Sequence, residues 1–311
     1  MKKVLLDFDI GTEIDDAIAL AYLLANPECE LVGITTSCGE SIKRAEMASV
    51  LCRTAGKKVP IHAGCERPLL IPQMETTAPQ AAILPHYEHD TGFAPNTAIP
   101  FMQKVIRENP GEVTLLAVAP MTNLGLLFAM DPELPELLDG LYLLCGSPTH
   151  QRHDVVTESL SAMERDDFIR VLASQGILEN NSIVDPHATS IVYRARCRNF
   201  VNIGSNVSSR VVMTPEEAER RFRHPIMQVV MSIAREWFKD EPRVSFHDPL
   251  AAVCIFNDDV CSYKRGYMDC VLDSRLLGGM TIFREDPAGP HQVAWDVDGD
   301  KFFEHLFEVF A

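Results

Sequence analysis

Runs of apolar residues long enough for a strand alternate with runs patterned for a helix along the first part of this chain. That alternation constrains the fold more than any other feature. Lys3 to Leu6 reads as a strand, Asp16 to Ala25 as a helix, and Cys29 to Thr36 (CELVGITT) as a second strand. Ile42 to Ala55 carries apolar residues at helical spacing and stops near Gly56, and Val59 to Ala63 reads as a short third strand. Repetition of strand, helix and strand predicts right-handed βαβ units and a mostly parallel, Rossmann-like sheet flanked by helices. The sequence holds no internal repeat, low-complexity tract or Pro/Gly/Ser linker, so residues 1–311 are expected to form a single α/β domain.

The pattern dissolves between Cys65 and Pro100, where prolines and polar residues surround HYEHDTG, with His86, His89 and Asp90. A long irregular segment inside a compact domain is more often a functional loop than filler. Order resumes with a helix from Phe101 to Glu108, a strand from Val113 to Val118, and a helix to about Met130 that Thr122 or Asn123 can cap. Leu141 to Cys145 is another strand, and His150 to Gln175 is polar with helical tendency. Asp185 can cap a helix that has Pro186 at its first position. A strand at Phe200 to Ile203 and helices at Thr214 to Phe222 and Pro225 to Phe238 follow. The tail, GGMTIFRE and QVAWDVDGDKFFEHLFEVF, reads as strands closed by a terminal helix.

Composition narrows the partners. A formal charge of -16 argues against nucleic acid and anionic membrane, which need a basic footprint, and favours a small polar ligand or a cation. The start, MKKVLLDFD, meets charge after three apolar residues, too soon for a signal peptide, and no stretch approaches a membrane span. Nine cysteines, an odd number without a CxxC pair, point to a reduced, cytoplasmic chain.

The stretch that carries chemistry is DFDIGTEIDDAIAL, Asp7 to Leu20, with aspartates at positions 7, 9, 15 and 16 between the first strand and the first helix. Open α/β sheets place their sites at the carboxyl ends of parallel strands. Acid groups packed this closely repel one another unless a cation sits among them. Asp9 and Asp16 on either side of the turn, with Asp248 before a later helix, would supply oxygens for a hard divalent ion. Helix capping is the ordinary use of an Asp such as Asp248, which precedes Pro249. Asp15 and Asp16 are harder to account for in that way, since one cap suffices for one helix.

Two enzyme classes claim this stretch. Phosphohydrolases of the haloacid dehalogenase type begin with DxDGT after a strand, and DFDIGT comes near it; Ile10, however, separates Asp9 from Gly11, and the late GDKFFE only superficially copies that family's last acidic motif. Taken with FHDPLAAV (Phe246 to Val253), the stretch resembles the inosine-uridine-type nucleoside hydrolase family. ELVGITT is similar to that family's second strand, APMTN to its GPLTN turn, GSNVS to its GLDVT stretch, ENNSIVDPHATSIV to its EFNxxxDPxAAxIV, and LLGGMT to its LTxGMT.

The resemblance implies a calcium-dependent release of ribose and free base from a ribonucleoside, in purine and pyrimidine salvage. It matches Asp9, Asp16 and Asp248 to side-chain calcium ligands and Val118 to a ligand through its backbone carbonyl. Asp15, Asp248, Glu179 and Asn181 match residues that hold the ribose hydroxyls. Asp9 is implied as the base acting on the calcium-bound water, and His247 as the acid that protonates the leaving base. Relatives form dimers and tetramers, which implies a homodimer or homotetramer here.

The chain also departs from the family. Its first turn is two residues longer, through Thr12 and Glu13, and carries Ile10 for Pro; the loop is expected to bulge while the aspartates keep their places. Glu40 stands where TTxxGN ends in Asn, and either contacts the sugar or points to solvent. An Asn expected ahead of Glu179 has no counterpart between Ser147 and Leu178. These two departures motivate an alternative reading as a non-catalytic nucleoside- or metal-binding relative. His86, His89, Trp237 and Phe238 are the candidates for stacking on a base.

Overall fold

The computed structural model describes residues 1–148, 178–239, 241–274 and 276–311. The helical tendency read at His150 to Gln175, and most of the segment searched for the missing Asn, lie outside them. Among the described residues nine strands build one sheet: β1 (Lys2–Phe8), β2 (Cys29–Thr36), β3 (Ile61–Ala63), β4 (Val113–Ala117), β5 (Gly140–Leu144), β6 (Phe200–Ile203), β9 (Cys261–Cys270), β10 (Thr281–Glu285) and β11 (His291–Val297). A separate two-stranded ribbon pairs β7 (Val212–Met213) with β8 (Val244–Ser245). The sheet order is β10-β9-β11-β6-β5-β4-β1-β2-β3. From β3 across to β11 every neighbouring pair is parallel, and of the sheet's strands β9 runs the other way, antiparallel to both β11 and β10. The sheet is thus mixed and mostly parallel, as the strand–helix alternation predicts.

Strand β1 shows why these residues form a central strand. Val4, Leu6 and Phe8 face one core and Leu5 the other, and all four are fully buried. A parallel strand with helices on both faces has no solvated side, so it reads as a continuous apolar run. One core takes α1 (Asp15–Ala25) and the helices Pro225–Trp237 and His247–Cys254; the other takes α3 (Ala98–Glu108) and α4 (Thr122–Met130). Strand β9 is the element the sequence concealed. It alternates Lys264, Arg265, Tyr267 and Asp269 with buried Gly266, Met268 and Cys270, because one of its faces meets solvent.

The order also fixes where a ligand can enter. From β1 the chain proceeds outward through β2 to β3, then returns to β4 on the other side of β1 and proceeds to β5. Connections therefore diverge from the gap between β1 and β4. That divergence opens a crevice at their carboxyl ends. The expected caps of α4 serve this junction instead of the helix: Thr122 Oγ1 donates to Asp185 Oδ2 at 2.8 Å and Asn123 Nδ2 to Asp7 Oδ1 at 2.8 Å, while the helix start has no side-chain cap. Asp185 does cap Pro186–Tyr193, accepting from Ala188 N at 3.0 Å.

Candidate active site

Between β1 and α1 the chain bulges through Asp9–Ile14, and its carbonyls need donors. Arg44, fully buried on the helix α2 (Ser41–Thr54), supplies two of them and reaches the next turn as well. Its Nη1 donates to Asp9 O and to Ile10 O, its Nη2 to Thr12 Oγ1 at 3.0 Å, and its Nε to Cys38 O at 2.6 Å and Gly39 O at 2.9 Å. Gln80 closes the far side, giving its backbone N–H to Gly11 O at 2.9 Å and its amide to Thr12 O at 3.0 Å. Gly11 stands at φ +124°, where a Cβ would come within 2.9 Å of the Ala78 methyl. The longer turn is therefore built in, with one guanidinium tying the first two strand-to-helix turns together.

A cavity of about 200 Å³ opens at the crevice. The first turn contributes Asp9, Glu13, Asp15 and Asp16; Val118 follows β4; Leu144 ends β5; and Glu179 and Asn181, then His247 and Asp248, come from helix starts further along. Glu75 reaches it from the long irregular loop, held by an amide donation from Asn180. Seven carboxylates thus line one small cavity, and among the described residues no Lys or Arg does. Of the residues expected to hold the cation, hold the sugar or act in catalysis, Glu40 is the one that the lining does not include.

The ligand atoms of Asp15, Asp16 and Asp248 all lie within 4.8 Å of one another, and all three residues are buried. Asp9 N donates to Asp16 Oδ1 at 3.1 Å, and Asp248 N to Asp15 Oδ2 at 3.3 Å, so the turn and the later helix are joined directly. Burial first, then mutual repulsion, raises Asp16 and Asp248 well above the usual carboxylate range. Asp9 is pushed up to about 8 by burial, with Arg44 acting against the shift and Glu75 and Asp15 adding to it. Such a cluster is stable as anions only with a cation among them. The donors are hard oxygens, which suits an ion of the calcium or magnesium type. A second group brings Asp9, Cys38 and Glu75 within 4.8 Å, sharing Asp9 with the first turn.

The remaining expected residues are held in defined states. Glu179 accepts from Asn181 N at 2.8 Å, Ser182 N at 3.0 Å and Gly146 N at 2.6 Å, capping the short helix Asn180–Val184 while its carboxylate edges the cavity. Asn181 gives both amide hydrogens away, to Val118 O at 2.8 Å and Leu144 O at 3.0 Å, which leaves its Oδ1 as the group for a ligand. His247 Nδ1 lies 2.7 Å from Ser208 Oγ, and that hydroxyl also reaches Gly204 O at 3.1 Å. A hydroxyl has one hydrogen; with it on Gly204 O, His247 carries its own on Nδ1. Burial lowers the His247 pKa, and Asp15 opposes the shift.

Residues singled out for other roles lie elsewhere. Asp7 is fully buried, accepting from Thr35 Oγ1 at 2.6 Å and Asn123 Nδ2 at 2.8 Å, and braces the strand ends from below. Glu40 accepts from Ala78 N at 2.9 Å and pairs with Lys43. His86, His89, Trp237 and Phe238 do not line the cavity; His89 Nδ1 is 2.9 Å from Tyr87 O, and Trp237 Nε1 donates to Arg243 O at 3.0 Å. None of GDKFFE lines the cavity either, so the phosphohydrolase motif has no second half at this site. Sequence reading missed Arg44 and Glu75. Arg44 sits between Lys43 and Ala45 in a helix with a charged face, and nothing in its spacing separates it from a solvated residue.

An acidic cavity at the switch point of a mostly parallel sheet defines an α/β protein whose site suits a cation. The profile of the inosine-uridine preferring nucleoside hydrolase family matches residues 4–304, and the chain belongs to that family of metal-dependent enzymes acting on N-glycosyl compounds. It is 26% identical to the inosine-uridine preferring nucleoside hydrolase of Crithidia fasciculata over 97% of this chain and 95% of that one. Uridine nucleosidase 1 of Arabidopsis thaliana is 24% identical over 98% and 92% of the two chains. In fold the chain is similar to a plant nucleoside hydrolase of known structure, with a TM-score of 0.79 at 21% identity, covering 99% of this chain and 98% of the other.

Proposed function

We propose that the chain hydrolyses the N-glycosidic bond of a ribonucleoside to ribose and free base, with calcium held by Asp9, Asp16, Asp248 and the Val118 carbonyl. One observation carries this reading: the first-turn aspartates and Asp248 converge in a cavity, edged by Val118, whose lining among the described residues includes no Lys or Arg. A hard divalent ion supplies Lewis acidity, making a water molecule more acidic. Asp9 would hold such an ion and stand as the carboxylate that accepts a proton from a water beside it. Asp15, Glu179, Asp248 and the Asn181 Oδ1 accept from the ribose hydroxyls and orient the sugar. Cleavage builds positive charge on the ribose ring, and the surrounding carboxylates stabilise it. His247 gives a proton to the departing base, aided by Asp15, which favours its charged form.

The test is release of reducing sugar from a panel of purine and pyrimidine nucleosides, with and without chelator. Asp9→Ala is expected to lower turnover by at least about 10³-fold, since it removes a base and a ligand together. Ribose release at the unaltered rate would overturn the mechanism. Nine free cysteines support a reducing, cytoplasmic setting. The family resemblance supports a homodimer or homotetramer, which sedimentation velocity reads directly.

A further inference from the structure

A second cavity, of about 660 Å³, lies at the other end of the sheet. It is bounded by Tyr193–Cys197, which precede the amino end of β6, by Pro290 and His291 at the amino end of β11, and by Tyr267, Asp269, Ile282 and Arg284 of β9 and β10. The acidic cavity sits at the carboxyl ends, so the two are separated by the length of the parallel strands. His291, 2% exposed, holds the walls together: its Nδ1 accepts from Met268 N at 2.8 Å and its Nε2 lies 3.0 Å from Tyr193 O. The ring is therefore neutral with its hydrogen on Nε2.

The lining runs against the charge of the chain. In a protein of formal charge -16, Arg194, Arg196 and Arg284 line this cavity, and among the described residues Asp269 is its one carboxylate. Arg284 is engaged, bonded to Asp286 Oδ2 at 3.0 Å and stacked 4.4 Å from the Tyr267 ring centroid. Arg194 and Arg196 are exposed, and among the described residues neither side chain has an acidic or hydrogen-bonding partner. Tyr267 is 39% exposed and Ile282 49%, so a flat ring and an aliphatic side chain stand open in the cavity that the two arginines also line. Asp269 Oδ1 accepts from Cys270 N at 2.9 Å, which leaves Oδ2 for a ligand hydroxyl or amine.

We propose that this cavity binds a nucleoside monophosphate. Arg194 and Arg196 take the phosphate, as paired guanidinium groups do. The Tyr267–Arg284 stack and Ile282 take the face of the base. Asp269 accepts from the ribose hydroxyls. The cavity is larger than inorganic phosphate requires, and its two arginines without an acidic partner lie on one segment while Arg284 is paired with Asp286, which favours a ligand with one anionic end and one flat end. A phosphorylated nucleoside is repelled by the seven carboxylates of the acidic cavity, so the two sites separate the nucleoside from its phosphate ester by charge.

Calorimetric titration of the full chain with AMP, adenosine and inorganic phosphate, in chelator at low salt, tests this. AMP is expected to bind at least about tenfold more tightly than either of the others, following the charge-assisted contacts to phosphate and the stacking of the base. The double variant Arg194→Glu/Arg196→Glu is expected to lose that binding while keeping its circular dichroism and its ribose release. Tyr267→Ala is expected to bring AMP down to the affinity of inorganic phosphate. AMP binding that survives the double variant, or that is no tighter than adenosine or phosphate, overturns the proposal. So does dissociation of an oligomer by the double variant, which would make the patch a contact between copies of the chain.

Discussion

The first two strand-to-helix turns of this protein are neighbours on parallel strands, both rich in small and acidic residues, and they put their carboxylates to opposite uses. After β1, Asp9, Glu13, Asp15 and Asp16 all line the acidic cavity. After β2, Glu40 turns away from it, accepting from Ala78 N and pairing with Lys43. The difference follows from position in the sheet. β1 stands at the switch point beside β4, so its end opens on the crevice, whereas the end of β2 is covered by the long loop. Cys38 N donates to Cys65 O at 2.8 Å, Gly39 N to Glu66 O at 3.1 Å and Ser41 N to Glu66 Oε1 at 3.1 Å. Glu40 itself adopts φ 43°, a left-handed conformation that reverses the chain into α2. Which acid does chemistry is set by what lies over the strand end, not by the composition of the turn.

Arg44 is where the comparison breaks most easily, because one guanidinium serves both turns. Replacing it with Met keeps much of the volume but leaves the carbonyls of Asp9, Ile10, Cys38 and Gly39 without their donor. Buried polar groups left unsatisfied cost about 1–3 kcal/mol each before relaxation. Arg44→Met is expected to lose roughly 3–5 kcal/mol of stability, measured by denaturant unfolding, the range for removing one partner of a buried charge network. It should also weaken cation binding, since the acidic turn loses the donors that hold its backbone in place, an effect that works against the small gain from removing a like charge near the cation. A loss under about 1 kcal/mol would mean that the two turns hold their shapes independently.

The two turns also titrate with opposite sign. Burial raises Asp9 and Glu13 to about 8, while the hydrogen bond from Lys43 lowers Glu40. A carboxylate whose folded pKa is raised binds protons more tightly folded than unfolded, so its stabilising contribution is lost as pH rises from the unfolded value towards about 8. Glu40 acts the other way, contributing above the usual carboxylate range and losing that only in acid. In chelator, the melting temperature is expected to fall between pH 5 and pH 8 by on the order of 5 °C, at roughly 2 °C per kcal/mol in a chain this long. Saturating calcium should remove the slope, and Asp9→Asn should reduce it. A melting temperature that rises over this interval would contradict burial as the dominant influence on the first turn.

How much of this was legible depends on distance along the chain. The strand–helix alternation and the parallel sheet could be read because local periodicity encodes them, and β9 escaped because an exposed antiparallel strand is half polar. The sequence groups Asp9, Asp16 and Asp248 as cation ligands, with Asp15 beside them as a sugar contact, because their motifs keep an order and spacing shared by a family; the structure brings Asp15, with Asp16 and Asp248, within 4.8 Å of one another. Glu75 could not, since it enters the cavity from a loop whose path is set by contacts such as Asn180 to Glu75 and Gln80 to Gly11. Thr122 and Asn123 were legible as polar residues at a helix start but not as ties to Asp185 and Asp7. A cap and a tertiary hydrogen bond use the same side chain, and only the fold decides between them.

Glu40 gives the smallest expected effect and the sharpest test of the comparison. Its two bonds are to a backbone N–H and to a lysine at the surface, and it does not line the acidic cavity. Glu40→Gln keeps an acceptor for Ala78 N and removes only the charge opposite Lys43. An exposed pair of this kind is worth at most about 1 kcal/mol, so unfolding should move by no more than that. Because the carboxylate is turned from the cavity, KM and kcat for a nucleoside should each change by less than about twofold, within 0.4 kcal/mol of transition-state binding. A tenfold rise in KM would show the turn rearranging on substrate binding to bring Glu40 to the sugar. The two strand-to-helix turns would then be parts of one binding surface, distinguished only while the cavity holds no nucleoside.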